Sequence, residues 1–367
     1  MSTPTGLENW GWSHHRATAE TIERPGLTLA RVVGHAHHWY DLVCAPDTTK
    51  RRGRVSGAFS YRAAGPADFP TVGDWVLVEM SNEATTIQEV LPRRTAISRH
   101  AAGDETVEQI LVANIDVVLL VFSLDGSRGF TVGLLERAIT TAWDSGARPV
   151  VVLNKLDLAD RTQKEQILLD AETSAPGVEI FSVSARTGLG VGELLKSLGP
   201  DTTVGMMGKS GVGKTALLNA MGRLRAAPVA AREGRLRDGD RQGRHTTTDK
   251  RLYRLPQGPI IADVPGLREL QLWAEEGSLE NTFPEIEELA RLCRFNDCTH
   301  NGEPGCRIQE ALEAGRLSID RWDHYLSLQR EIAYLERRRD QRAQQEEEMK
   351  WKKIAKLQRH YKKNRRG

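Results

Sequence analysis

Nowhere in the 367 residues does an apolar run approach the roughly 20 residues that a helix needs to cross a bilayer; the longest lies around Val117 to Phe122. No membrane partner is expected. The first residues, Met1 to Arg16, lack a basic stretch followed by an apolar one, so no secretory leader is expected and the chain reads as cytoplasmic. Cysteine is scarce, with four in all, too few for a disulfide framework in a chain of this length. Three of them crowd between positions 293 and 306, which favours a metal site, while Cys44 stands apart as an ordinary core thiol. Net charge is small, +2, but unevenly spread. Arg337 to Gly367 carries 13 Lys and Arg against 4 Asp and Glu, a net of +9, so the rest sums to −7. Acidic residues are absent from Lys350 to Arg366, where Trp351, Ile354, Leu357 and Tyr361 share one helical face among basic residues. Such an arm suits a polyanion, and a helix contacting RNA is expected there.

What is present is a P-loop. Val204 to Met207 is a short apolar run, and Gly208, Lys209, Ser210, Gly211, Val212, Gly213, Lys214 and Thr215 then satisfy Gly-x4-Gly-Lys-Ser/Thr before helix-forming residues resume at Ala216. The glycines permit backbone angles that turn successive N–H groups inward, cradling phosphate at a helix N-terminus. Lys214 would reach the β- and γ-phosphates and the Thr215 hydroxyl would ligate Mg²⁺.

The base is read elsewhere. Asn154, Lys155, Leu156 and Asp157 follow a buried strand and form Asn-Lys-x-Asp. The Asp carboxylate can accept from guanine N1–H and the exocyclic amine, the Asn amide reaches the other ring edge, and the Lys stem covers the base. Adenine presents an acceptor where guanine presents a donor, so the site selects GTP. Ser184 and Ala185, after a further strand, resemble a loop that supports the base through its backbone. Asp263-Val264-Pro265-Gly266 fits Asp-x-x-Gly, in which Asp263 holds Mg²⁺ through water and the Gly266 amide senses the γ-phosphate. Upstream, one of Thr246, Thr247 and Thr248 supplies a switch hydroxyl to Mg²⁺, with Thr247 the candidate. Asn-Lys-x-Asp precedes the P-loop, the reverse of the ordinary GTPase order, so this looks like a circularly permuted GTPase. Beyond it, Cys293, Cys298, His300 and Cys306 make a closed Cys₃His set, the composition of one structural zinc site with no open position for catalysis.

The texture of the chain agrees. Short runs at Leu29–Val33, Tyr40–Ala45, Arg54–Tyr61 and Asp74–Glu79 read as strands punctuated by Gly and Pro, for which an OB-type barrel is one candidate. Lys50 to Arg54 reads either as a loop contacting phosphate or as a solvated charge run. Ile115–Phe122, Pro149–Leu153, Ile180–Val183, Thr203–Met207 and Ile260–Asp263 read as strands of a parallel α/β sheet, with a helix over Leu134–Trp143. Leu317, Trp322, Tyr325, Leu328, Ile332 and Leu335 mark one apolar face of a helix over Gly315–Leu335.

Together these residues resemble the RsgA family (also YjeQ or YloQ) of circularly permuted, small-subunit-dependent GTPases. The match extends to Phe69-Pro70-Thr71-Val72-Gly73-Asp74-Trp75-Val76, Gly243-Arg244-His245-Thr246-Thr247-Thr248, Asp263 to Glu269, Cys293 to His300 and Glu303-Pro304-Gly305-Cys306. The resemblance implies an OB-fold-like RNA-binding domain over 1–100, a permuted GTPase over 101–275, a helical zinc-binding domain over 276–336 and a basic tail over 337–367. It further implies binding to the 30S subunit and its rRNA late in assembly, with hydrolysis stimulated by the subunit, by a monomer cycling between GTP and GDP. Val264 stands where the family usually has Thr, and Leu267 where Phe is commoner; neither position supplies a side chain that the chemistry needs. Leu267 also occupies the place of the water-orienting Gln of ordinary GTPases, so intrinsic hydrolysis should be slow, and His245 is the candidate to orient the water, with Lys214 and Gly266 the other catalytic candidates. Two other readings stay open: a permuted GTPase acting on another RNA or ribonucleoprotein, and a nucleotide-sensing scaffold with little turnover.

Overall fold

The computed structural model describes residues 6–15, 24–81, 84–101, 104–125, 130–225, 250–264, 277–334 and 337. They fall into two compact units: one holds the chain to residue 264 apart from 100–107, the other 100–107 and the helices from Gly277 onward.

The first unit begins with a short helix, α1 (Trp12–His15), ahead of a barrel of β1 (Thr28–Ala36), β2 (Trp39–Cys44), β3 (Thr49–Val55), β4 (Trp75–Met80) and β5 (Thr85–Val90). Strands pair in the order β1-β2-β3-β5-β4, and β4 returns to β1, so the sheet closes on itself. This is the five-stranded OB-type closure, and it leaves no free edge. Ala30, Val32, Leu42, Val76, Val78 and Ile87 fill its interior. Lys50 to Arg54 is most of β3, with its four cations exposed, so of the two sequence readings the solvated charge run fits and the loop does not. The strand expected over Arg54–Tyr61 ends at Val55, because the Ser56 hydroxyl accepts from Phe59 N at 3.1 Å and caps a helix, α2 (Gly57–Arg62).

A two-stranded ladder follows, β6 (Ala96–Ala101) with β7 (Asp104–Ala113). Then comes the α/β layer: β8 (Val117–Ser123), α3 (Val132–Asp144), β9 (Arg148–Asn154), α4 (Arg161–Ser174), β10 (Glu179–Ser182), α5 (Val191–Leu198), β11 (Thr203–Met207), α6 (Lys214–Leu224), β12 (Lys250–Arg254) and β13 (Ile260–Asp263). All seven residues of β8 and all five of β11 are buried, as strands covered by helices on both faces must be. The spatial order is β10-β9-β8-β11-β13-β12, parallel except for β12. The P-loop strand β11 is therefore central in the α/β layer, between β8 and β13, although three strands of that layer precede it in the chain. Contacts define the sheet, and the order in which the chain supplies the strands is free; this is the permutation expected from the motif order.

The barrel and the α/β layer share hydrogen bonds as well as surface. β1 pairs with β12, Gly34 opposite Arg251 and His35 opposite Lys250, giving one continuous sheet of 11 strands. A buried cation joins the same parts. Arg31 on β1 donates to the Trp10 carbonyl, to Thr203 Oγ1 at 2.8 Å and to Asn114 O at 3.4 Å, with its guanidinium 4.9 Å above the Trp75 ring. His15 packs beside it against Trp12 and Trp75, with ring centroids 5.5 and 6.0 Å away. Burial, with Arg31 and Arg94 nearby, holds its imidazole down at about 4. The unfolded chain then takes up a proton near the ordinary histidine value that the folded chain refuses. Stability is accordingly full above that value and falls as pH drops from there toward 4. Urea unfolding followed by tryptophan fluorescence should show this loss between pH 7 and 4 in the wild type, and a shallower dependence in His15→Phe.

The second unit comprises α7 (Gly277–Thr282), α8 (Pro284–Arg291), α9 (Arg307–Glu313) and a helix over 319–334, α10. Leu279, Phe283, Ile286, Ile308, Ala311, Leu317, Trp322, Tyr325, Leu328 and Ile332 are its buried apolar residues. Arg321 fastens it, donating to Glu285 Oε1 at 2.7 Å and Thr282 O at 2.8 Å over the Phe283 ring. The helix expected from Gly315 starts four residues later, Leu317 being buried ahead of it. Among the described residues, no helix is long and apolar enough to cross a membrane.

Candidate functional site

The C-terminal ends of β11, β9 and β10 converge on one edge of the sheet, the edge where α/β folds bind ligands. From β11 the chain turns at Gly208, at φ +146°, where a Cβ would stand 2.3 Å from Val121 O, so the close approach to β8 requires glycine. It enters α6 through Gly213 in the left-handed region, φ +96°. The loop thus ends with backbone N–H groups at the positive end of an 11-residue helix, a cradle for phosphate. The Lys214 ammonium is curled over this loop, donating to Gly208 O at 2.5 Å and Lys209 O at 2.7 Å. Lys209, Ser210 and Gly211 are exposed at its tip, and Thr215 and Ala216 are half-buried in the first turn of α6.

Asn154 is the last residue of β9 and is buried. Its amide joins two loops: Nδ2 donates to Val212 O in the P-loop at 2.9 Å, and Oδ1 accepts from Ala185 N at 3.1 Å. Lys155 follows in the left-handed conformation, φ +65°, and its ammonium meets Asp125 Oδ2 at 2.6 Å. Leu156 N donates to Val183 O at 3.0 Å, which holds the turn against the strand end of β10. Asp157 accepts from the Ser184 hydroxyl at 2.6 Å, with Arg186 4.0 Å from its other oxygen. The four-residue motif, the 184–185 loop and the P-loop are thus one hydrogen-bonded assembly, with the Asp157 carboxylate partly open on its rim.

Asp263 ends β13, the parallel neighbour of β11, so it leaves the sheet beside the P-loop. His245, Thr246, Thr247, Thr248, Gly266 and Leu267 lie outside the described residues, as does the basic tail beyond Arg337. Two residues that sequence reasoning did not select complete the assembly. Asp125 was detectable in principle, standing just past the end of β8 at the ligand edge. Arg223, which donates to Ala185 O at 3.1 Å from the last turn of α6, carries no signal in the sequence.

In the second unit, Cys293 follows α8 and Cys306 caps α9, and the turn between them brings Cys298 and His300 back. The four ligand atoms all lie within 4.8 Å of one another. His300 Nδ1 is 3.6 Å from Cys293 Sγ and 3.5 Å from Cys306 Sγ. A tetrahedron with bonds of 2.0 to 2.3 Å has edges of about 3.5 to 3.8 Å, so the donor set fits a single metal ion. The fold supports the ligands: Arg307 N points at Cys293 Sγ at 3.4 Å, Gln309 Nε2 donates to His300 O at 2.7 Å, and the Trp322 ring stands edge-on to His300 at 5.8 Å.

A P-loop on the central strand, joined to an Asn-Lys-x-Asp turn that comes earlier in the chain, defines a circularly permuted GTP-binding protein of the α/β class. The model of the RsgA GTPase family matches residues 90–273. The small ribosomal subunit biogenesis GTPase RsgA of Opitutus terrae is 42% identical over 371 aligned positions, covering 96% of this chain and 97% of that protein. Among solved structures, YjeQ from Thermotoga maritima superposes with a TM-score of 0.64 at 25% identity, over 84% of this chain and 99% of that one. YloQ, a circularly permuted GTPase, superposes with a TM-score of 0.61 at 24% identity, over 86% of this chain and 98% of that one. The chain belongs to the RsgA GTPase family.

Proposed function

We propose that the chain hydrolyses GTP as an assembly factor of the small ribosomal (30S) subunit, binding the subunit's rRNA late in its maturation and accelerated by it. The observation that carries this reading is the Asn154 amide, which locks a phosphate cradle to a guanine-type turn in a permuted sheet. The small ribosomal subunit biogenesis GTPase of Opitutus terrae, similar over nearly the whole chain, supports the subunit as partner, and the exposed cations of β3 suit rRNA.

In this reading the N–H groups of Gly208 to Ala216 surround the phosphates, and Lys214 transfers its ammonium from the loop carbonyls to the β- and γ-oxygens. Asp157 accepts from guanine N1–H and the exocyclic amine, Lys155, steadied by Asp125, covers the base, and Ser184 and Ala185 support its edge. Thr215 in the first turn of α6, behind the P-loop, and Asp263 at the end of the neighbouring strand β13 suit a magnesium ion together with Thr247. When bound, Mg²⁺ neutralises charge developing on the phosphate oxygens. Gly266 senses the γ-phosphate and His245 orients the attacking water, since Leu267 can neither donate nor accept. Cys293, Cys298, His300 and Cys306 would hold one structural Zn²⁺. The chain acts as a cytoplasmic monomer divided near residues 100, 275 and 336, with a basic tail on rRNA.

Two measurements test this. The protein should co-sediment with small subunits in a non-hydrolysable GTP analogue and much less in GDP, and subunits should raise its turnover. Equal sedimentation in both nucleotides, or turnover indifferent to subunits, would overturn it. His245→Ala should bind subunits normally yet lose the stimulation; a fully stimulated variant removes His245 from the mechanism.

A further inference from the structure

The shared sheet places five residues in one row. Arg52 on β3 is the Cα partner of Asp41 on β2, Asp41 of Gly34 on β1, Gly34 of Arg251 on β12, and Arg251 of Asp263 on β13. Every one of these pairings is antiparallel, and directly opposite residues project to the same face with Cβ atoms about 5 Å apart. The row runs from the cationic outer strand of the barrel to the aspartate beside the P-loop.

Asp41 sits in the middle with its carboxylate divided. Oδ1 is 3.6 Å from Arg52 Nε, and Oδ2 is 3.8 Å from Arg251 Nη2. It can lie across β1 only because position 34 has no side chain: a Cβ there would be 2.8 Å from Asp41 Oδ2 and 3.1 Å from Asp41 Cβ. Both contacts are long and half-exposed, the kind that a better partner displaces. Arg52 invites one, since its guanidinium lies 5.8 Å from the exposed Trp39 ring, and a cation beside an open aromatic face suits a nucleic-acid strand. At the other end, Arg251 stands between two carboxylate residues, Asp41 at 3.8 Å on the barrel side and Asp263, its Cα partner in the ladder.

We propose that Asp41 is a positioning residue for the magnesium side of the nucleotide site: it draws Arg251 toward the barrel and away from Asp263, and an RNA phosphate at Arg52 strengthens that pull. The inference rests on the reading of the chain as an rRNA-binding GTPase. A phosphate takes the Arg52 guanidinium by charge-assisted hydrogen bonds, and the Asp41 charge is then left to Arg251 alone. Arg251 competes less for Asp263, so Asp263 is freer to hold the hydrated ion. RNA on the barrel thereby favours the magnesium-bound, GTP-competent state through adjacent side chains, with no movement of the barrel required.

The test is a Mg²⁺ titration of the full-length protein with a fluorescent GTP analogue, with and without isolated small subunits. In the wild type, saturating subunits should lower the half-saturating Mg²⁺ concentration about threefold, the scale of a half-exposed ion pair. Arg52→Gln and Arg251→Gln should show the lowered value without subunits and no further change with them. Asp41→Asn should move the other way, about threefold higher and unresponsive to subunits. Gly34→Ala, which keeps the charge but displaces it, should follow Asp41→Asn, and Arg251→Lys should restore the wild-type response. Asp41→Asn and Arg251→Gln shifting in the same direction would overturn the proposal, as would wild-type protein that co-sediments with subunits but titrates unchanged. Wild-type protein that fails to co-sediment overturns the underlying reading instead.

Discussion

Asn154→Ala is expected to weaken GTP binding roughly a hundredfold, although in this structure both polar atoms of the Asn154 amide are engaged by protein. The amide bonds Val212 O on one side and Ala185 N on the other, at 2.9 and 3.1 Å, and the residue is buried. Alanine leaves a buried carbonyl and a buried N–H without partners, at about 1 to 3 kcal/mol each. If about 3 kcal/mol of that falls on the assembled site, affinity drops by roughly two orders of magnitude. Gly213→Ala should act through the same point, because a Cβ there would stand 2.3 Å from Asn154 Nδ2 and the residue sits at φ +96°. The double variant should then lose much less than the sum of the single losses, as residues sharing one interaction do. Titration with a fluorescent GTP analogue, alongside thermal unfolding, reads both quantities. A loss of less than threefold in Asn154→Ala, or strict additivity with Gly213→Ala, would show that the two loops are held by something else.

This clamp also shows where sequence reading reaches its limit. The P-loop and the Asn-Lys-x-Asp turn are legible because each is a contiguous motif at the end of an apolar strand, and β8, β9, β11 and β13 are legible because strands buried on both faces carry continuous apolar runs. β5, β6, β7 and β12 escape such a reading. Thr85–Val90 and Lys250–Arg254 mix charged and apolar residues, and β12 is defined as much by its partners, β1 and β13, as by its own composition. Arg31 is the extreme case. A charged residue within the run Leu29 to Val33 gives no hint that it is buried, and its partner Thr203 lies 172 positions away. The same holds for the row from Arg52 to Asp263, which exists only because antiparallel pairings across five strands come into register. Ser56 shows the opposite error: Arg54–Tyr61 has strand-like composition, but a single hydroxyl cap turns the chain into a helix. Local chemistry fixes what a motif can bind, whereas relations between motifs belong to the topology.

Removal of metal from the Cys₃His cluster should unfold the second unit and leave nucleotide binding in place. The helices from Gly277 to residue 334 enclose a small interior of ten buried apolar side chains, among them Phe283, Ile286, Ile308 and Ile332. A core of that size contributes only a few kcal/mol, whereas structural zinc in comparably small modules has an apparent binding free energy of roughly 10 to 16 kcal/mol. The ligands also come from separate places, Cys293 after α8, Cys298 and His300 in the turn, and Cys306 at the cap of α9, so a bound ion would tie these segments together. If the cluster holds zinc as proposed, wild-type protein should carry one equivalent of it by elemental analysis, and Cys306→Ser should carry none and lose the helical signal of this unit. Trp322, edge-on to His300 at 5.8 Å, makes tryptophan fluorescence a local reporter of the change. Because the nucleotide cradle lies wholly in the first unit, affinity for a fluorescent GTP analogue should change by less than twofold after chelation. Chelated protein that releases zinc yet keeps its second thermal transition would show that the helices hold themselves together. A parallel loss of nucleotide affinity would show that the ion stabilises the GTP-binding unit as well.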